Sequence, residues 1–154
     1  MKLGTLVEQF WVWTGLPRDK WGVQDIGKLD TPAEEFPRLF QMQRACIERI
    51  NTTLSEKEME DFLTCMAVDN EDEEILDACK DGGSVSFLAG LVRAGLTHRQ
   101  PMARWQAAEL LRREIPGGAE ALEKFRQDPD PYVRRRAEQI WKDRTGGQDG
   151  RRKP

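Results

Sequence analysis

The sequence predicts an all-α protein made of stacked helical hairpins, and three observations support this fold class. Residues 101–111 repeat at 131–141, with a Pro, an Arg, an Ala and a closing apolar pair in the same places. A fixed period of about 30 residues is typical of helical units that bury their apolar sides only against their neighbours. Hydrophobic residues make up 38% and charged residues 33% of the chain, which suits helices with solvated outer faces. β-Branched residues are sparse, which argues against a sheet.

The first third of the chain predicts two helices separated by a long connection. The first runs from about residue 2 to residue 13 and ends before Gly15. Residues 15–30 show no clear period, and so long a connection is either functional or contains elements that the pattern does not reveal. Thr31 and Glu34 form a predicted capping box with Pro at the first helical position. The apolar residues expected on the buried side of this second helix are Phe36, Leu39, Phe40, Cys46, Ile47 and Ile50.

The middle of the chain predicts three more helices. Ser55 and Glu58 form a second capping box, before a helix with apolar residues from Met59 to Met66 on one side. The next helix follows residues 69–70, and its acidic run lies at the positive end of the helix dipole. Two glycines end it at residue 83, and Ser84 caps a helix that reaches Leu96.

Two clear repeats follow, and they predict three further helices, which brings the total to eight. These helices span about residues 101–114, 117–126 and 131–143, with Asp130 as the cap of the last. A weaker copy precedes them, in which Leu76 stands at the Arg position. Residues 144–154 have no apolar content and are expected to form a disordered tail.

The string from Asp128 to Ala137 resembles the HEAT-like repeats, whose second helix follows an Asp-Pro type turn and carries a Val-Arg-x-x-Ala signature. Residues 100–107 fit with Ala in place of Val and without the turn Asp, and the likeness covers about residues 55–143. It implies one domain over residues 1–143, a short right-handed α-solenoid of HEAT-like hairpins with residues 1–54 as an N-terminal helical cap. It also implies that Arg104 and Arg134 bind turn carboxylates and carbonyls between successive units.

Composition predicts a cytoplasmic protein that does not cross a membrane. No stretch approaches the roughly 20 apolar residues of a bilayer span, and an acid interrupts the opening segment. The three cysteines, Cys46, Cys65 and Cys79, are odd in number, widely spaced and on helical apolar faces. They are therefore expected in the core rather than in disulfides or a metal site.

The chemistry-bearing residues predict neither an enzyme nor a bound cofactor or metal. The single histidine, His98, lies in a turn, where a turn-capping or solvent-facing role is expected. The acidic run beginning at Asp69 fails the calcium-loop template, since Glu74 stands where Gly is needed and Lys80 where Glu belongs. No glycine pattern matches a phosphate-binding loop.

Charge is unevenly distributed along the chain. Residues 1–92 hold nine Lys and Arg against eighteen Asp and Glu, a net charge of −9, whereas residues 93–154 hold fifteen against nine, a net charge of +6. This asymmetry would orient a charged partner, although it is equally consistent with a face that only maintains solubility.

Helical geometry indicates where a partner would bind. Trp105 falls nearly opposite the predicted buried stripe of its helix, beside Arg112. The matching positions of the next unit are Arg135, Glu138 and Lys142. Because second helices line the concave side in HEAT-like proteins, these five residues are predicted to form one partner-binding groove. The alternative is that Trp105 packs against a neighbouring helix.

These observations favour a non-catalytic protein that binds a protein partner in its groove, and an immunity-type protein that blocks a toxin is a specific version. Nucleic-acid binding is a second possibility, because some DNA glycosylases are built from HEAT-like repeats with a basic concave face. The arginines that would then meet phosphates are Arg112, Arg134, Arg135, Arg136, Arg151 and Arg152. A sequence pI near 5.4 argues against it. An accessory or lyase-like enzyme is a third class, for which no catalytic residue is identified.

Overall fold

The computed structural model describes residues 1–146, and within them the chain forms eight α-helices and no strand, as predicted. The helices are α1 Leu3–Thr14, α2 Phe36–Ile47, α3 Glu56–Val68, α4 Glu74–Gly82, α5 Val85–Gly95, α6 Pro101–Glu109, α7 Gly118–Arg126 and α8 Pro131–Thr145. Short 3-10 segments occupy Arg18–Lys20, Ile26–Lys28, Ala33–Glu35 and Leu110–Arg112. None of the described helices is both long enough and apolar enough to cross a membrane.

Helix α3 lies at the centre of the molecule. Residues 61–69 are all buried, and the helix contacts α1, α2, α5 and α6. The sequence predicted a single apolar stripe there, but a helix enclosed on all sides buries small and polar residues as well. Gln106 of α6 illustrates the consequence, because its amide donates to the Met66 carbonyl at 2.7 Å inside the core.

Helix starts follow side-chain caps at three of the four predicted positions. The Ser55 capping box is confirmed in both directions, and Ser84 and Asp130 accept hydrogen bonds from the first turns of α5 and α8. The Thr31 box is wrong, since α2 begins at Phe36. Pro37 explains the shift: five residues into a longer helix it would remove a backbone hydrogen bond and clash with the preceding turn, whereas in the first turn of α2 it does neither.

The two clear repeats make the same arginine contacts. Nη1 of Arg104 donates to the carbonyls of residues 98 and 99 at 2.9 and 3.1 Å, and Nη1 of Arg134 donates to those of residues 128 and 129 at 2.7 and 3.0 Å. Arg104 also binds the Asp128 carboxylate through two nitrogens, at 2.8 and 3.2 Å. The carbonyl contacts expected of both arginines are therefore present, but only Arg104 binds a turn carboxylate and links the turns of successive units.

The long connection after α1 is held by one distant side chain. The Gln100 amide donates to the carbonyls of Gly22 and Gln24 at 2.9 and 2.8 Å, and its oxygen accepts from the Ile26 amide at 2.9 Å. Gln100 is buried, and Ile26 contributes to the core. Residues 15–30 are therefore a folded part of the domain, with two 3-10 turns that have no apolar period.

Close helix packing also depends on small residues. A Cβ built on Gly95 of α5 would lie 2.3 Å from the Cβ of Ala107, so these two helices approach more closely than any larger pair would allow. Cys46, Cys65 and Cys79 are buried as predicted, and burial raises the pKa of Cys79 to about 12. Helix α8 continues to Thr145, so residues 144 and 145 are helical and the prediction that they belong to a disordered tail is wrong. Residues 147–154 of that predicted tail lie outside the described part.

The two repeat arginines are expected to differ in their effect on stability. Arg104→Ala removes a charge paired with the buried Asp128 carboxylate and should lower the free energy of unfolding by about 3 kcal/mol. Arg134→Ala removes only hydrogen bonds from an exposed arginine to two backbone carbonyls and should lower the free energy of unfolding by about 1 kcal/mol. Urea denaturation at neutral pH measures both, and equal losses would contradict the role assigned to Asp128.

Candidate protein-interaction surface

Trp105, the centre of the predicted groove, is buried. Its side chain is 2% exposed and meets the Tyr132 ring edge-on, with centroids 5.7 Å apart. The Arg136 guanidinium lies over the indole at 4.2 Å and donates to the Tyr132 hydroxyl at 2.8 Å. The prediction that Trp105 faces a partner is wrong, because α6 and α8 pack so closely that the indole fills the space between them.

Arg112 belongs to the same interhelical contact. Its Nε donates to the buried Glu109 carboxylate at 2.7 Å, and its Nη1 donates to Asp143 of α8 at 2.6 Å. Arg136 pairs with the second Glu109 oxygen at 3.0 Å. Two arginines therefore neutralise one buried acid, and the pKa of Arg112 is raised mainly by its hydrogen bond to Glu109. Neither guanidinium is oriented toward a partner.

The remaining predicted residues lie on α8 but do not form a groove with Trp105. Glu138 accepts from Arg126 Nε at 2.8 Å, so it joins α7 to α8. The Arg135 guanidinium is exposed and lies 5.6 Å from the Tyr132 ring. Lys142 is also exposed. Of the five residues predicted to form the groove, only Arg135 and Lys142 are both exposed and available for an external contact.

The burial of Trp105 makes its role in stability testable. Trp105→Ala should lower the free energy of unfolding by about 3–5 kcal/mol, because it leaves a large cavity between α6 and α8. Lys142→Ala on the exposed side of α8 should change it by less than about 0.5 kcal/mol. Chemical denaturation of both variants measures these changes. A Trp105→Ala variant as stable as the wild type would contradict the burial of Trp105 and support the open groove predicted from the sequence.

Helix α2 instead presents an apolar face to solvent. Phe36, Phe40 and Ile47 are 43%, 52% and 41% exposed, and the two phenylalanine rings are 6.3 Å apart. All three were predicted to be buried, which is wrong. At 100° per residue they fall within about 40° of each other, and Met42, Ala45 and Cys46, which lie on other sides of the helix, are buried. Gln43 belongs to the same stripe, between Phe40 and Ile47, but it is buried and its amide donates to Asp69 and Asp72. The apolar residues of α2 cover a wider arc than α1, α3 and α4 can enclose. We call Phe36, Phe40 and Ile47 the α2 face.

A cleft of about 260 Å³ opens beside the α2 face. It lies between the end of α1, the 26–31 segment, the first turns of α2 and the turn between α3 and α4. Its apolar lining residues are Phe10, Ile26, Leu29, Phe36, Leu39, Phe40 and Val68, and its polar ones are Thr31, Asp69, Asn70, Glu71 and Asp72. An apolar floor and an acidic rim therefore meet in one small opening.

Asp69 shapes the acidic side of this cleft. Its carboxylate accepts from Gln43 Nε2 at 2.7 Å and from the Ile75 amide at 2.9 Å, so it caps the entry to α4. Burial raises its pKa to about 6, and the neighbouring carboxylates of Asp72 and Glu74 add to the increase. Glu73 completes the turn with φ of 56°, a left-handed conformation that is strained for this residue type.

The pKa of Asp69 predicts a pH dependence of stability. The native carboxyl binds its proton more tightly than the unfolded one, so its contribution is full below the unfolded pKa of 3.8 and is lost as pH rises through about 6. Between about pH 4 and pH 7, the free energy of unfolding of the wild type should fall by roughly 2–3 kcal/mol relative to Asp69→Asn. Urea titrations of both proteins across that range measure the difference, and a constant difference would contradict the assignment.

His98 has a structural role within a second, larger opening of about 1160 Å³. Its Nδ1 accepts from the backbone N–H of Gln100 at 3.0 Å, which places the ring proton on Nε2. That nitrogen lies near Thr64 Oγ1 and the Glu60 carbonyl. Burial lowers its pKa. The turn-capping alternative for His98 is therefore the one observed. Within residues 1–146, no three His, Cys, Asp or Glu side chains are arranged to hold a metal ion.

No protein-family model, curated protein or solved structure matches the chain.

Proposed function

We propose that this chain is a non-enzymatic, cytoplasmic HEAT-like repeat protein, a short right-handed α-solenoid that binds a protein partner. The helical-repeat part of the proposal is supported by the 30-residue repetition of the Arg104 and Arg134 contacts. The binding part is supported by the α2 face and its cleft, rather than by the groove around Trp105.

One observation carries the binding proposal. Among the Phe, Trp and Tyr side chains of residues 1–146, Phe36 and Phe40 are the exposed ones, and they lie one turn apart on the same helix. Isolated exposed apolar residues are ordinary, but contiguous aromatic ones beside a cleft are typical of interaction surfaces. Burying these rings against a partner would remove their exposed apolar area from water and so stabilise the complex.

The arginine contacts favour a protein partner over nucleic acid. Three of the arginines considered for phosphate binding are occupied within the chain: Arg112 and Arg136 donate to Glu109, and Arg134 donates to turn carbonyls. Arg135 is exposed, and Arg151 and Arg152 lie outside the described residues. An immunity-type protein that occupies a toxin is a specific form of the protein-binding proposal, and the acidic first part of the chain suits it.

Capture from a lysate of the native host tests the α2 face against the α8 residues. Phe40→Ser should abolish retention of the partner because it removes the exposed ring, whereas Arg135→Glu and Lys142→Glu should retain it. Val85→Ser is the matched control, since Val85 is 41% exposed on another helix.

Stability must be measured beside capture. Arg135→Glu and Lys142→Glu lie at exposed positions and should change the free energy of unfolding by less than about 0.5 kcal/mol. Phe40→Ser, at a side chain that is 52% exposed, should lower it by about 1–2 kcal/mol and leave the protein folded. If Arg135→Glu and Lys142→Glu lose the partner while Phe40→Ser retains it, the α2 face is rejected and the exposed residues of α8 are favoured as the binding surface.

A further inference from the structure

The cleft beside the α2 face has an unbalanced charge. Three carboxylates, those of Asp69, Glu71 and Asp72, line it, and no Lys, Arg or His does. The turn from residue 69 to residue 74 adds two more acids and no base. The one amide that bridges the turn, Gln43 Nε2, donates to both Asp69 and Asp72, at 2.7 and 3.1 Å, and brings no charge.

The size of the cleft indicates how much of a partner enters it. Small-molecule sites usually enclose about 300–1,000 Å³. A cleft of about 260 Å³ is smaller and open, with Phe36 and Phe40 as exposed walls. This volume suits one large side chain of a peptide, the anchor that typically fills a pocket at the centre of a protein interface.

We infer that the cleft binds a basic segment of the partner, with one large apolar side chain inserted between Phe36 and Leu39 and with Lys or Arg side chains facing Glu71 and Asp72. The inference rests on the proposed function and adds the chemistry of the partner to it. Glu71 and Asp72 are exposed, so cations reach them without the cost of burying a charge.

Two other occupants fit the cleft less well. The basic segment at residues 147–154 of the same chain contains Arg151, Arg152 and Lys153 but no apolar side chain to fill the cleft. A second copy related by two-fold symmetry would bring the same cleft lining, which contains no Lys, Arg or His to pair with the acidic rim, because an isologous interface uses the same patch on both subunits. A segment of another protein that carries both apolar and basic side chains can pack on the apolar floor and pair with the acidic rim.

Selection from a phage-displayed library of random peptides tests the inference without a known partner. Peptides enriched on the wild-type protein should carry one Leu, Ile, Met or aromatic residue with neighbouring Lys or Arg. Their dissociation constants, measured by fluorescence anisotropy, should rise at least about 30-fold for Phe40→Ser, the effect of a hot-spot residue. The double variant Glu71→Gln with Asp72→Asn should weaken binding by about 3–10-fold, and added salt should weaken binding to the wild type.

Matched controls separate the inference from the proposed function. Asp81→Asn removes an acid of α4 that does not line the cleft, and Val85→Ser removes an exposed apolar side chain elsewhere, so both should bind as the wild type does. Peptides that need Phe40 but show no Lys or Arg enrichment and tolerate the double variant would overturn the basic partner and leave the α2 face in place.

Two further outcomes overturn more. A selection that yields no peptide dependent on Phe40 would reject both the cleft and the α2 face. Self-association in sedimentation that Phe40→Ser abolishes would identify a second copy as the occupant and overturn the basic partner.

Discussion

The burial of α3 is the constraint on which the rest of the structure depends. From residue 61 onward, α3 is enclosed by its neighbours α1, α2, α5 and α6 and has no exposed side, so the polar groups of residues 61–69 find partners within the protein. The Thr64 hydroxyl contacts the His98 ring, and the Asp69 carboxylate accepts from the Ile75 N–H at the start of α4. The Met66 carbonyl accepts from the Gln106 side-chain amide. Buried polar groups need such partners, because an unpaired one is costly. These contacts fix how the neighbouring helices sit around the centre.

The charged residues of the second half of the chain mainly hold helices together. Glu109 is buried between two arginines, and Arg104 joins the turns of successive repeats through Asp128. Truncating one member of a buried ion pair leaves the other charge unpaired, which ties these residues to folding rather than to recognition. The positive charge after residue 92 is therefore partly used in internal contacts, whereas Glu71 and Asp72 are exposed to solvent beside a cleft.

The contrast between the two surfaces follows from how the helices are packed. Between α6 and α8, the ring of Trp105 fills the interface and is covered by Arg136 and Tyr132. Helix α2 lies at the edge of the bundle, where Phe36 and Phe40 are about half exposed and a cleft opens between them and the 26–31 segment. An exposed aromatic pair is unfavourable in water unless something covers it, which is the physical basis for assigning recognition to this edge.

Local sequence determined most of the helices, because capping side chains and apolar period act within a few residues. Ser55, Ser84 and Asp130 mark helix starts by this mechanism. The carbonyl contacts of Arg104 and Arg134 were expected from the resemblance to HEAT-like repeats. Tertiary structure alone decided which apolar faces are covered. A helical wheel places Trp105 outside and Phe36 inside, but exposure depends on the neighbours that arrive from distant parts of the chain. The fold of residues 15–30 and the edge position of α2 have the same origin, since Gln100 and the packing of α3 act across dozens of residues.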